Sequence, residues 1–313
     1  MENWGRLFVF VLFLIPIGVS FFPVWVMRRK NRYSPLVENR LRLPGESAKQ
    51  NFIDLSANVL GYYSAMFAVI ATMIYFATVF DFGYTPISIV LALGSGCLCY
   101  LGRKQYLDFQ KALNYRVGAD GEAYTGQELN LLARDGAFVF HDIPYKYGNI
   151  DHVVVGYDNV FVVETKAVRK PVGSNGKKDC RVYYDGTNLR FPHFVTDAPL
   201  RQARCHADCL ARILNEDSKC NIPVVPVVAL PGWFVISNST VPAVRVINPK
   251  RGKFLRTGIG RRRDCEQFES TVRKIEKLAR LDSPLAGITD PDAAEYYNLW
   301  TNEPRVKGQL PGP

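Results

Sequence analysis

Residues 160–166 read VFVVETK and lie directly behind IDHVVVGYDN at 150–159. Val160 to Val163 are strand-forming residues, and the apolar run stops abruptly at Glu164, Thr165 and Lys166. In an extended strand, side chains two apart share a face. Glu164 and Lys166 therefore project together, and Thr165 turns away. Asp151 opens the preceding extended segment, and the turn-like link Tyr157-Asp158-Asn159 brings it back toward the far end of the next. Three charged side chains then meet at one edge of an otherwise apolar sheet. Two carboxylates so placed repel unless they are protonated or bridged by a cation. Oxygen ligands of this kind suit Mg2+ or Mn2+, and a neighbouring ammonium can orient a water or stabilise developing charge. Taken alone, the Glu–Lys spacing also fits an ordinary same-face ion pair of small energetic worth.

Further out, FVFHDI at 138–143 alternates like a strand. Residues 103–115 read as one helix and 121–134 as a second, the latter with an apolar face from Ala123, Leu129, Leu131, Leu132 and Ala133. Residues 170–179 are polar and glycine-containing, hence a loop, and VYYDGTNLRF at 182–191 carries the Asp-Gly signal of a hairpin. Pro199 suits the first turn of a helix running to about Leu214. The apolar run 224–230 has strand length and ends at Pro231-Gly232. This order of elements predicts an α/β domain with a mixed sheet. A basic, glycine-rich loop at 250–263 and an amphipathic helix over 264–280 follow, and the tail from Ser283 reads as peripheral.

The first third is different in kind. Residues 7–27 hold no charge and are long enough to cross a bilayer; 59–80 is a second such run and 82–101 a third, interrupted by Pro86, Gly94 and Gly96. The first run is too long for a signal core and lacks a small-residue cleavage site, so it reads as an uncleaved anchor. Arg28, Arg29, Lys30, Arg32, Arg40, Arg42 and Lys49 lie between the first two runs, the turn DFGYTP carries no basic residue, and Arg103 and Lys104 follow the third. The positive-inside rule then places the N-terminus outside and everything after Arg103 in the cytoplasm, at a bacterial inner membrane.

The chain is basic, with a net charge of +10, which suits a phosphate-bearing partner or an anionic lipid surface. Seven cysteines without a regular framework read as reduced thiols. Cys205 and Cys209 flank His206, but no partner pair completes a metal site, so they read as structural thiols on a partly buried helix. His152 alternates away from Asp151 and reads as packed or hydrogen-bonded, and no histidine has a triad-like context. GSNGKK at 173–178 is too short for a phosphate loop.

Four ordered blocks carry a resemblance: GADGEAY at 118–124, GNIDHVVVG at 148–156, VFVVETK at 160–166 and DAPLRQARCHADCL at 197–210. Together they resemble the nuclease-related domain (NERD) family of the PD-(D/E)xK nuclease superfamily, placed behind N-terminal transmembrane helices. The resemblance implies a restriction-endonuclease-like core, a mixed central sheet flanked by helices. It also implies divalent-metal-dependent hydrolysis of nucleic-acid phosphodiesters, DNA rather than RNA. Asp151, Glu164 and Glu122 would hold Mg2+ or Mn2+, Lys166 would serve the attacking water, and Gln202 would line the site. Glu122 alone also reads as a helix-start acid favoured by the dipole, and Gln202 as an ordinary first-turn residue. Arg169, Lys170, Lys177 and Lys178 are expected to contact phosphates. The expected organisation is a transmembrane region over 1–104 (spans about 7–27, 59–80 and 82–101), a nuclease domain over 105–250, and a basic loop, helix and tail over 251–313. Nucleic acid and the lipid bilayer are the expected partners. The competing function is a non-catalytic, membrane-tethered nucleic-acid-binding or sensor protein.

Overall fold

The computed structural model describes residues 40–79, 84–145, 148–156, 158–171, 180–215, 222–239, 242–252, 255 and 265–280. The first apolar run at 7–27, Lys177, Lys178, most of the basic loop and the tail lie outside the described residues. The chain divides into two compact units, one containing Gln50–Asn114 and the other Glu38–Lys49 with Tyr115–Pro313.

In the first unit, α1 (Glu46–Val79) and α2 (Tyr84–Asn130) are both long and apolar enough to cross a membrane. At 1.5 Å per residue, even the 34 residues of α1 span about 50 Å, against roughly 30 Å of hydrocarbon. Phe67 and Leu93 are 61% and 71% exposed, so large apolar side chains of both helices lie outside any protein core. The hydroxyls of Ser56, Thr72 and Thr78 donate to carbonyls one turn back, which satisfies these three groups within the helix. A side chain at Gly94 would begin 2.3 Å from Met73 Sδ, so its absence lets the two helices approach.

The helix prediction needs one correction. Residues 103–115 and 121–134 are not two helices behind a separate third span; α2 runs unbroken from Tyr84 to Asn130 and passes into a 3-10 turn, Leu131–Asp135. Gly118 and Gly121 read as breaks, but neither lacks a hydrogen-bonding N–H, and a glycine inside a helix costs only about 1 kcal/mol. The helix ends where Gly136 takes φ 90°, a left-handed cap that donates to the carbonyls of Ala133 and Leu132.

In the second unit, a five-stranded sheet is built from β1 (Phe138–Tyr145), β2 (Gly148–Val155), β3 (Val160–Thr165), β7 (Val224–Ala229) and β9 (Arg245–Ile247), in that spatial order. The first three strands are antiparallel, and β7 and β9 join parallel to β3, giving the mixed sheet expected. A second sheet, unforeseen in the sequence, orders β6 (Val195–Thr196), β5 (Leu189–Arg190), β4 (Arg181–Tyr184) and β8 (Phe234–Ser237). Its strands are too short to show periodicity, apart from the Asp-Gly hairpin joining β4 to β5.

Alternation along β3 sorts the core. Val160 and Val162 pack with Leu210, Ile213 and Leu214 of α3 (Ala198–Asn215) and with Val272 and Ile275 of α4 (Cys265–Leu278). Phe161 and Val163 pack on the other face with Leu129, Leu132 and Leu255. Each such side chain, fully buried, contributes roughly 1.5–3 kcal/mol, so β3 is the most firmly held strand of the sheet. Glu164 inherits the α3 face, and Thr165 inherits the opposite one.

Asp142 secures the start of α1. It lies fully buried in β1 with φ 51° and accepts from Ser47 N and Oγ, Arg42 Nη1 and Asn149 Nδ2. A carboxylate from another element thus fills the N-terminal cap position of α1. Removing one partner of a buried charged pair strands the other. Asp142→Ala is expected to lower the stability of the second unit by roughly 3 kcal/mol and to open residues 40–47 to limited proteolysis, while Leu41→Ala, at a 42% exposed position, leaves both unchanged.

Candidate active site

The pairing of β2 with β3 runs His152↔Val163 and Val153↔Val162, which brings Asp151 level with Glu164 one step further on. Asp151 is 8% exposed and Glu164 4%. The Thr165 N–H donates to Asp151 Oδ2 at 2.7 Å, so the strand that carries Glu164 also holds its neighbour. Lys166 follows the last residue of β3, and its own N–H continues the ladder to the carbonyl of Ala229. It is half-buried.

Glu122 arrives from α2. A Cβ on Gly121 would meet the Cβ of Ala167 at 2.5 Å, so the helix can lie against the chain just beyond Lys166 only because residue 121 has no side chain. The next residue is Glu122. It stands deep inside a 47-residue helix and not at a helix start, which removes the dipole reading of this acid. Gln202 lies early in α3, one turn before His206, whose Nδ1 is 3.1 Å from Glu164 Oε2.

The electrostatics follow from crowding. Burial, then Glu164, then Asp142 push the Glu122 carboxyl up to about 8. Burial, then Glu164 and Glu122, raise Asp151 well above the usual carboxylate range, with the Thr165 N–H opposing them. Three oxygens here are shut off from solvent without a hydrogen-bond partner: Glu122 Oε2, Glu164 Oε2 and Gln202 Oε1. Buried polar atoms are rarely left so. Among the described residues no group of three His, Cys, Asp or Glu side chains already stands at ligand spacing. What the fold supplies is narrower: mutually repelling carboxylates and unsatisfied oxygens, the donor chemistry that a hard divalent cation takes.

Behind Asp151 runs a chain that sequence reading only half anticipated. His141 Nε2 lies 3.0 Å from Asn130 Oδ1, His141 Nδ1 2.9 Å from His152 Nδ1, and His152 Nε2 3.1 Å from Thr165 Oγ1. With Asn130 accepting, each ring donates through one nitrogen and accepts through the other, and Thr165 donates its hydroxyl. Burial drives His141 down to about 4, and burial with His141 beside it drives His152 well below the ordinary histidine value. His152 is therefore hydrogen-bonded, as its alternation implied, and it braces the residue whose N–H holds Asp151.

The basic residues are less concentrated. Lys170 Nζ sits 6.0 Å from the centre of the Trp233 ring, whose indole N–H donates to the carbonyl of Val168. Arg169 is exposed. At the start of the basic loop, Lys250 lies over Tyr124 and Arg251 over Phe234. On α3, Cys209 is buried and Cys205 half-buried.

The result is a mixed α/β domain in which two acids stand level at the end of paired strands and a lysine follows the last residue of one of them. Residues 117–231 match the family model of the nuclease-related domain, NERD. No curated protein and no solved structure matches the chain.

The carboxyls fix how stability depends on pH. Glu122 and Asp151 bind protons more tightly when folded, so the stability they contribute is complete below the unfolded carboxyl value and lost as pH rises toward 8. The histidine pair acts oppositely, its contribution being lost as pH falls below 6.5. Above 6.5 the carboxyls act alone. The unfolding midpoint of metal-stripped protein is expected to fall between pH 6.5 and 8, and Glu122→Gln to flatten that slope.

Proposed function

We propose that the chain is a membrane-anchored nuclease that hydrolyses nucleic-acid phosphodiester bonds on the cytoplasmic side, with DNA as the first substrate. The observation that carries this reading is that buried oxygens of Glu122, Glu164 and Gln202 are satisfied by no hydrogen bond, with Asp151 level with Glu164 across the paired strands. The matched nuclease-related family and the strand-end lysine supply its chemical context.

Asp151, Glu164 and Glu122 would hold Mg2+ or Mn2+ through carboxylate oxygens. Such a cation, when bound, polarises a phosphate and lowers the pKa of a water. Lys166 orients the attacking water and stabilises charge as it develops on the phosphate. Thr165 fixes Asp151 through its N–H, and the His152–His141–Asn130 chain fixes Thr165 in turn. Gln202 lines the α3 side. Arg169 and Lys170, together with Lys177 and Lys178, attract the backbone without regard to sequence.

The two long apolar helices support a membrane position. Orientation follows from the basic residues at 28–49 and 103–104. A cytoplasm-active reporter fused after Arg103 is expected to be active, and a periplasm-active one silent.

Full-length protein in detergent should cut DNA when Mg2+ or Mn2+ is supplied and stop when chelator is added. Asp151→Ala and Lys166→Ala should each reduce the rate by about 10²–10³. Unchanged rates in both variants would exclude this centre. Salt-sensitive binding with no turnover on single- and double-stranded DNA and RNA would assign the chain to the non-catalytic tether instead.

A further inference from the structure

His206 lies one helical turn beyond Gln202 on α3, so the two share a face. It is 3% exposed and stands edge-on to the Tyr145 ring, with centroids 5.2 Å apart. Its Nδ1 lies 3.1 Å from Glu164 Oε2. Both atoms are sealed from solvent, and neither has an aligned hydrogen-bond partner. Distance alone would make them an ion pair; direction does not make them a hydrogen bond. The two atoms are close enough to share one partner, and neither is satisfied by the other through a hydrogen bond.

That is the arrangement of two ligands sharing an ion. Donors at right angles around a cation, each bonded at about 2.1–2.2 Å, stand about 3.0–3.1 Å apart. Each aims at the ion and not at its neighbour. The partnerless Gln202 Oε1 one turn earlier adds an oxygen on the same side. The other buried histidines have no comparable opening, because both nitrogens of His141 and of His152 are engaged in their own chain.

The geometry points to His206 Nδ1 as a nitrogen ligand in the metal set, making this a site for a divalent first-row transition ion such as Mn2+ in preference to Mg2+. The assignment rests on the reading that Asp151, Glu164 and Glu122 take a divalent cation. Its chemistry is that of ligand hardness: Mg2+ is held by oxygen and parts reluctantly with its waters, whereas an imidazole nitrogen is a favourable donor to transition ions. Tyr145 packs against the ring and fixes the orientation in which Nδ1 faces Glu164.

The test is made on the metal-stripped full-length chain in detergent. Mn2+ is titrated in, and the bound ion is examined by pulsed EPR for coupling to nitrogen. Wild type should show a ¹⁴N modulation that becomes a ¹⁵N pattern when histidine is isotopically labelled. His206→Gln should abolish it and lower the Mn2+ over Mg2+ affinity ratio by about tenfold or more, since even residues that only support a ligand cost that much. A bound Mn2+ with no nitrogen coupling in wild type overturns the assignment of His206 and leaves the carboxylate site standing. Mn2+ that fails to bind, or binds equally well to Asp151→Asn and Glu164→Gln, overturns the underlying reading and this one with it. Should His206→Gln not fold, the spectrum of the labelled wild type decides alone.

Discussion

Asp151 and Glu164 are forced level with one another at the ends of two paired strands, inside protein, where like charges are least tolerable. Much of the domain's polar architecture answers to that constraint. The Thr165 N–H reaches across to Asp151, and two histidines and an asparagine stand in line behind Thr165. Gly121 gives up a side chain so that Glu122 can come close enough to add a third negative group. A packed apolar sheet makes the enforcement possible. Val160, Val162, Phe161 and Val163 anchor β3 on both faces, so the strand end cannot relax away from its neighbour. Breaking an interior of that density is harder than tolerating a few unsatisfied oxygens, and tolerating them leaves a strong appetite for a cation.

The parts of this arrangement that were legible in the sequence are those that obey a period. Two-residue alternation set His152 apart from Asp151 and brought Asp151 level with Glu164, and the strand register agrees. Four ordered blocks pointed to the family that residues 117–231 match. Helix continuity was not legible, because glycines at 118 and 121 and charges at 103–104 look like boundaries until packing shows why they are there. Gly121 is small because Ala167 is near. His206 was set aside because a lone histidine between two cysteines carries no periodic signal. The available clue was its four-residue offset from Gln202, which puts both on one helical face. Asp142 was equally silent, since its partners Arg42 and Ser47 lie about a hundred residues away.

Single elements serve several purposes. α2 supplies apolar length at its beginning and Glu122 near its end, and the carbonyls freed at its C-terminus are closed off by Gly136. β3 supplies the core on both faces and then the acid. Such economy narrows the changes the domain can absorb. A larger side chain at 121 or a polar one at 162 would disturb packing and chemistry together.

The histidine chain behind Asp151 has a consequence for how the domain meets acid. Its four groups pass hydrogen bonds in one direction at a time, and reversing the Asn130 amide merely reverses them all. Either way each ring carries one proton, and the two Nδ1 atoms 2.9 Å apart share the single hydrogen between them. A further proton would put two N–H groups nose to nose inside the buried core. On acidification Glu122 takes up its proton first, at about 8, while His141 holds out to about 4, so the brace on Thr165 outlasts the ionisation of Glu122. The resistance of that brace to acid lies in two buried rings, each already engaged through both nitrogens.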